Sequence, residues 1–253
     1  MAIEQIRTDA QAVLALLRRP ETDLATPVPS CPGWTLEELG DHLGRVYAMV
    51  AAVIELGASG TSRPAGDQRV QRLPGTPVSQ WLSERLEAML QLFEETPLHH
   101  RCWNFVSGPA SETAFWWRRQ AHETLIHRAD AELAVGELSY PAPAVAADGI
   151  SEFFELGGFE LVGWAELPLG EAMTVHLHAL DAGEGAEWTV DTESRAFAMA
   201  HLKADVALRG PAWAIDRWLW RRGSLAGEGA SDLSGALEAF GDWRAAERWR
   251  PAY

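Results

Sequence analysis

Apolar positions recur at helical spacing through the first half of the chain. Ile3, Ile6, Val13, Leu14 and Leu17 share one face of a helix that Pro20 ends. A Pro-rich loop, Thr26 to Trp34, leads to a second helix opened by Thr35. Glu38 completes a capping box there, in which each side chain satisfies the other residue's backbone N–H. Leu36, Leu39, Leu43, Val46, Val50 and Val53 form the apolar stripe of that helix, and Gly57 stops it. Residues 58–76 show no period and are expected to form a loop. A third helix is predicted from about Val78 to Thr96, burying Trp81, Leu82, Leu86, Met89, Leu90 and Phe93. A fourth covers roughly Ser111 to Val135 and ends near Gly136. Such helices bury their stripes most simply as a four-helix bundle.

The period changes after Tyr140-Pro-Ala-Pro143. One helix is expected over 144–164, and strand signals follow it. Met173 to Leu180 alternates strictly, and Glu187 to Val190 lies across the turn Asp181-Ala-Gly-Glu-Gly185. His201 to Leu208 alternates again. Pro211 then opens a helix that runs to Gly223, and a last helix is expected near Leu233 to Glu247. The fold class is therefore α+β: a helical bundle over residues 1–140, then a smaller α+β domain over 144–253. The second domain is expected to be an antiparallel sheet with helices on one face.

Composition narrows the function. The chain has 253 residues, 47% of them hydrophobic and 23% charged, an ordinary globular composition. Its formal net charge of −15 repels phosphate backbones and anionic lipid surfaces, which argues against nucleic-acid and membrane partners. The two cysteines, Cys31 and Cys102, give neither a disulfide framework nor a Cys-rich zinc site. No basic, then apolar leader opens the sequence, and the longest apolar run, Val46 to Ile54, is too short to cross a bilayer. A cytoplasmic location is expected.

Several motifs are excluded by inspection. There is no G-x-S-x-G elbow, P-loop or dinucleotide fingerprint. His122-Glu123 suggests H-E-x-x-H, but the next histidine is His127, and on a helix the two imidazoles would point about 140° apart. Glu123 and His127, by contrast, lie one turn apart on one face and could share a metal ion. Asp130, one turn further, could accept the second ring N–H of His127 and fix its tautomer. The plainer reading is a Glu123–Arg119 ion pair with His127 simply satisfied. His42, on the margin of the second helix's stripe, would make a His₂Glu set with Glu123 and His127. Three protein ligands and one open position is the pattern of a catalytic zinc. His176 and His178 share a strand face, expected to be the solvent side. Cys31 is expected to be a small packed residue without a local basic partner.

Two stretches resemble a known family. Val28-Pro-Ser-Cys-Pro-Gly-Trp-Thr-Leu-Glu-Glu-Leu-Gly-Asp-His-Leu43 and Trp117-Arg-Arg-Gln-Ala-His-Glu-Thr-Leu-Ile-His-Arg-Ala-Asp130 are similar to the two signatures of the mycothiol-dependent maleylpyruvate isomerase family, in the DinB-like superfamily. Ala204-Asp-Val-Ala-Leu-Arg-Gly-Pro211 and the Trp-rich segment after it resemble that family's sterol-carrier-like C-terminal domain. The resemblance implies a DinB-like bundle, with Zn²⁺ or another divalent metal on His42, Glu123 and His127 and with Asp130 in support. It implies mycothiol as thiol cosubstrate, activated for cis–trans isomerisation of an unsaturated diacid such as maleylpyruvate, or for S-transfer to an electrophile. It also implies a C-terminal arginine on the substrate carboxylate, for which Arg221 or Arg222 is the candidate and Arg209 the alternative. A small-molecule substrate, a low-molecular-weight thiol and a monomer or weak dimer are expected. The alternatives are a non-catalytic binder of a small acid or apolar ligand, and a metal-dependent hydrolase.

Overall fold

A computed structural model describes residues 2–60, 70–105, 111–156, 172–194, 196–226, 233 and 235–249. The chain divides into two units, Met1–Leu138 and Ser139–Tyr253.

The first unit is helical. Its helices are α1 (Ala2–Arg18), α2 (Leu36–Leu56), α3 (Val78–Glu95) and α4 (Thr113–Ala134), with a 3₁₀ turn at Gly57–Ser59. The capping box at α2 is formed: Thr35 accepts from the Glu38 N–H, and the Glu38 carboxylate accepts from the Thr35 N–H at 2.8 Å. Helix α2 packs along α3 and α1 along α4, while α1–α3 and α2–α4 contacts close the bundle. Small residues set the closest approach, since a Cβ on Gly40 would strike Val78 and one on Gly44 would strike the Trp81 indole. The core unites Ile6, Leu14, Leu39, Leu43, Val50, Leu82, Leu86 and Phe93, the residues of the stripes.

Helix α4 differs from the others, because buried residues run all the way round it, polar ones included. Buried polar groups must be paired. The Arg128 guanidinium accordingly donates to Asp9 of α1, which also accepts from Gln5 at 2.7 Å. The Thr124 and Tyr47 hydroxyls share a hydrogen bond of 2.9 Å between α4 and α2.

The second unit begins with α5 (Pro143–Glu155); residues 157–164 of the longer helix expected there lie outside the described residues. Among the described residues a five-stranded sheet follows, in the order β3-β2-β1-β4-β5. Its strands are β1 (Thr174–Ala179), β2 (Glu187–Asp191), β3 (Phe197–Ala198), β4 (Val206–Gly210) and β5 (Glu238–Phe240). Val175, Leu177, Trp188, Val190, Val206 and Leu208 form one apolar face. Helix α5 is tied to that face where the Trp188 indole donates to Ser151 Oγ at 3.0 Å. Helix α6 (Ala212–Leu219) packs against α5, β1 and β4, and α7 (Trp243–Trp249) against β4.

Three expectations are corrected. The sheet is mixed, because β4 pairs parallel with β1, while β2 and β3 form an antiparallel meander on its other side. The alternation from His201 becomes strand only at Val206, since residues 199–205 cross the sheet instead of extending it. The helix expected over 233–247 is replaced by β5 and α7. Gly241 divides them at φ 75°, with no room for a Cβ beside the Asp205 carbonyl oxygen.

Candidate metal centre

Two helices of the first unit present the donor atoms. His42 lies on the edge of the α2 stripe, and Glu123 and His127 lie one turn apart on α4. His42 Nε2 stands 3.2 Å from Glu123 Oε1, and His127 Nε2 stands 3.4 Å from the same oxygen. The three donor atoms fall within 4.8 Å of one another. Ligand atoms about 2.0–2.1 Å from a tetrahedral zinc lie about 3.3 Å apart along the tetrahedron's edges. The donor set, two imidazoles and a carboxylate at near that spacing, fits a zinc-type ion. His42 and Glu123 are partly open to solvent and His127 is buried, so the set is reached from its His42 and Glu123 side.

The plainer reading of the sequence is realised alongside. Arg119 donates to Glu123 Oε2 at 3.0 Å, so the other carboxylate oxygen is the one turned to the histidines. The ion pair orients Glu123 without occupying its donor atom.

His127 is held from behind. Its Nδ1 meets Asp130 Oδ2 at 2.9 Å, which leaves Nε2 turned to Glu123 Oε1 and available as a donor. Asp130, itself fully buried, also accepts from Ser30 Oγ at 2.6 Å and Cys31 Sγ at 3.3 Å. Ser30 and Cys31 belong to the Pro-rich loop, which is folded tightly on itself. Val28 N–H donates to the Trp34 carbonyl at 2.8 Å, Trp34 N–H donates to the Cys31 carbonyl at 3.0 Å, and Gly33 adopts φ 86° between them. The same loop lays Trp34 against both imidazoles, 4.7 Å from His42 and 6.1 Å from His127 between ring centroids.

Burial and charge pull the three groups in different directions. Desolvation pushes His42 down, below the usual histidine range. For Glu123, burial pushes the carboxyl up, but hydrogen bonds to His127 and His42 and the charges of His127 and Arg119 outweigh it and hold it well down. His127 is lowered by burial and raised more by Asp130, Cys31 and Glu123, so it ends well above its ordinary value. The His127 ring lies between two carboxylates, Asp130 at Nδ1 and Glu123 at Nε2, and these contacts contribute to the shifts of both Glu123 and His127.

Cys31 is packed in the core, as expected. Tertiary contact adds the partners that its neighbours in sequence lack, Asp130 and His127, and it forms a second possible donor group with them. Nothing local in the chain reveals this, and only the density of Pro and Gly in the loop hints at a fixed shape. His176 is a correction, being buried on the face expected to be solvated. In the second unit Arg222 is buried, and its Nη1 donates to the Trp220 carbonyl at 2.7 Å. Arg221 has φ 58°, in the turn that ends α6, and is the more accessible of the two. Arg209 pairs with Glu238 across β4 and β5 at 2.8 Å.

Two family models match the chain. The mycothiol maleylpyruvate isomerase N-terminal domain matches residues 4–132, and the C-terminal domain of the same family matches residues 144–248. The fold is similar to a crystal structure described as mycothiol-dependent maleylpyruvate isomerase. The TM-score is 0.56 and the identity 14%, over 94% of this chain and 91% of that one. A histidine-to-alanine mutant of the same description gives a TM-score of 0.59 at 12% identity, with the same coverage of both chains. At such identities the likeness is one of fold. No curated protein matches the sequence.

Proposed function

The chain belongs to the mycothiol-dependent maleylpyruvate isomerase family, and on that premise we propose that it is a zinc-dependent enzyme that uses mycothiol as cosubstrate. The observation that carries this reading is the convergence of His42, Glu123 and His127 from two helices onto one small volume. Bound by these donors, a zinc ion would supply the Lewis acidity that keeps a coordinated thiol deprotonated at neutral pH, for cis–trans isomerisation of an unsaturated diacid such as maleylpyruvate or for S-transfer to an electrophile.

The chain's own residues do the rest. Asp130 holds the His127 tautomer, and Arg119 turns Glu123 Oε1 toward the histidines. Trp34 gives the imidazoles an apolar wall, which limits water on that side. A guanidinium fork suits a substrate carboxylate. For that role we assign Arg221 ahead of Arg222, because Arg222 is buried against its own backbone. We further propose a cytoplasmic protein, monomeric or weakly dimeric.

The test is metal analysis of tag-free protein, wild type and the variants His42→Ala and His127→Ala, with a mycothiol-dependent assay on maleylpyruvate and a panel of electrophiles. Both variants are expected to lose the metal of this site and mycothiol-dependent turnover together. Turnover that needs no thiol would instead favour a hydrolase, and a lack of any turnover with full ligand binding would favour a binding protein.

A further inference from the structure

The polar face of the sheet holds a second group of histidines that the reading above does not use. His176 on β1 and Glu187 on β2 face the same side, where β1 and β2 pair antiparallel. His176 Nε2 meets Glu187 Oε2 at 2.8 Å, and His201 Nδ1 meets the same oxygen at 2.5 Å. The His176 and His201 rings are 4.6 Å apart between centroids. His178 Nε2, two residues along β1, lies 3.8 Å from the other oxygen, Glu187 Oε1.

The arrangement is built by the fold. His201 sits in the 199–205 connection, which passes across the sheet between β3 and β4. Thr189 of β2 anchors that connection on both sides of His201. Its hydroxyl donates to the Ala200 carbonyl at 2.9 Å and accepts from the Leu202 N–H at 3.3 Å. A residue 14 positions from Glu187 in sequence is thereby pinned over it.

We propose that His176, Glu187 and His201 form a second binding site for a borderline divalent transition metal, of the Zn²⁺, Co²⁺ or Ni²⁺ class. His178 is in reach as a fourth donor. The donor atoms of the three lie within 4.8 Å of one another. Imidazole nitrogens suit these ions, whereas Mg²⁺ and Ca²⁺ need oxygen donors. His201 is 74% exposed, so the site opens to solvent, and the mobility of an exposed ring allows the donors to spread to metal spacing. An ion there would join β1, β2 and the crossing connection.

The site is tested on full-length, tag-free protein by zinc titration against a chromophoric chelator and by the absorption of the Co²⁺-loaded form. His201→Ala and Glu187→Gln are the variants; truncating an exposed ring leaves the core untouched, which guards against misfolding. Wild type is expected to bind one zinc equivalent more than either variant, and the Co²⁺ spectrum is expected to lose the matching component. Equal stoichiometry and equal affinity in wild type and both variants would overturn the proposal and leave the cluster as hydrogen bonds alone. His42→Ala, run in parallel, separates this result from that for the bundle site. A zinc equivalent lost only with His201 supports the sheet site whatever becomes of the other.

Discussion

Asp130 connects the loop to the candidate metal donors. Its carboxylate takes three hydrogen bonds, from Ser30, Cys31 and His127, and it is fully buried. Replacing the partner that orients a histidine ligand costs metal affinity without removing the ligand. On the proposed zinc site, Asp130→Asn is expected to weaken binding about 10–100-fold, read by chelator competition, with far-UV circular dichroism close to wild type. Tyr47 shows the stabilising counterpart. Its hydroxyl pairs with that of Thr124 deep between α2 and α4, and burial pushes the phenol well up. Tyr47→Phe strands the Thr124 hydroxyl, and urea unfolding should show a loss of about 1–3 kcal/mol.

The helices and strands carry their own tests. At the start of α2 the capping box satisfies backbone N–H groups that the helix cannot. Thr35→Ala is expected to cost about 1 kcal/mol in the urea-unfolding free energy. The approach of α2 to α3 leaves no space for a methyl at Gly44 against the Trp81 ring. Gly44→Ala should therefore destabilise by about 1–3 kcal/mol through overpacking, although alanine is the better helix former. In the sheet, Asp205 fastens the parallel pair β1–β4 at its start. The Thr174 N–H and hydroxyl both donate to it at 2.8 Å, and these bonds hold its carboxyl below the ordinary aspartate value. A lowered folded-state pKa contributes stability above the unfolded value and loses it as pH falls through the folded one. Asp205→Asn should lower the thermal midpoint at pH 7 and flatten its decline below about pH 4, where wild type loses the same contribution.

At the scale of the molecule, a net charge of −15 means that the folded chain repels itself. Raising NaCl from about 0.01 M to about 0.15 M shortens the screening length from about 30 Å to about 8 Å and should raise the thermal midpoint. The fold was legible where one face repeats. The stripes of α1, α2 and α3 name most of their buried residues, Ile3 and Val46 being only half-buried, and Gly57 and Pro20 mark ends close to those observed. The sheet was less legible. A parallel partner for β1 depends on where the chain returns, and alternation over His201 to Leu208 looks the same in a crossing connection as in a strand. Of the bundle site, Glu123, His127 and Asp130 were readable as one helix face, because a spacing of three or four residues is a local fact. His42 was readable only as a histidine on the margin of the α2 stripe, and the resemblance of its surroundings strengthened that reading, because no spacing along the chain says that α2 and α4 are adjacent. Cys31, Ser30 and Trp34 were not readable as neighbours of His127, since their separation along the chain carries no distance information.

The order of residues determined by itself what short-range sterics and periodicity control: which segments coil, where they start and stop, and which side chains share a face. Only the tertiary structure decided which faces meet. It brought the imidazole at 42 to the carboxylate at 123, set the Pro-rich loop behind His127, and laid the 199–205 connection over the sheet to make a second cluster. These outcomes come from burying several apolar faces at once, a condition that no single stretch of the chain can satisfy or reveal.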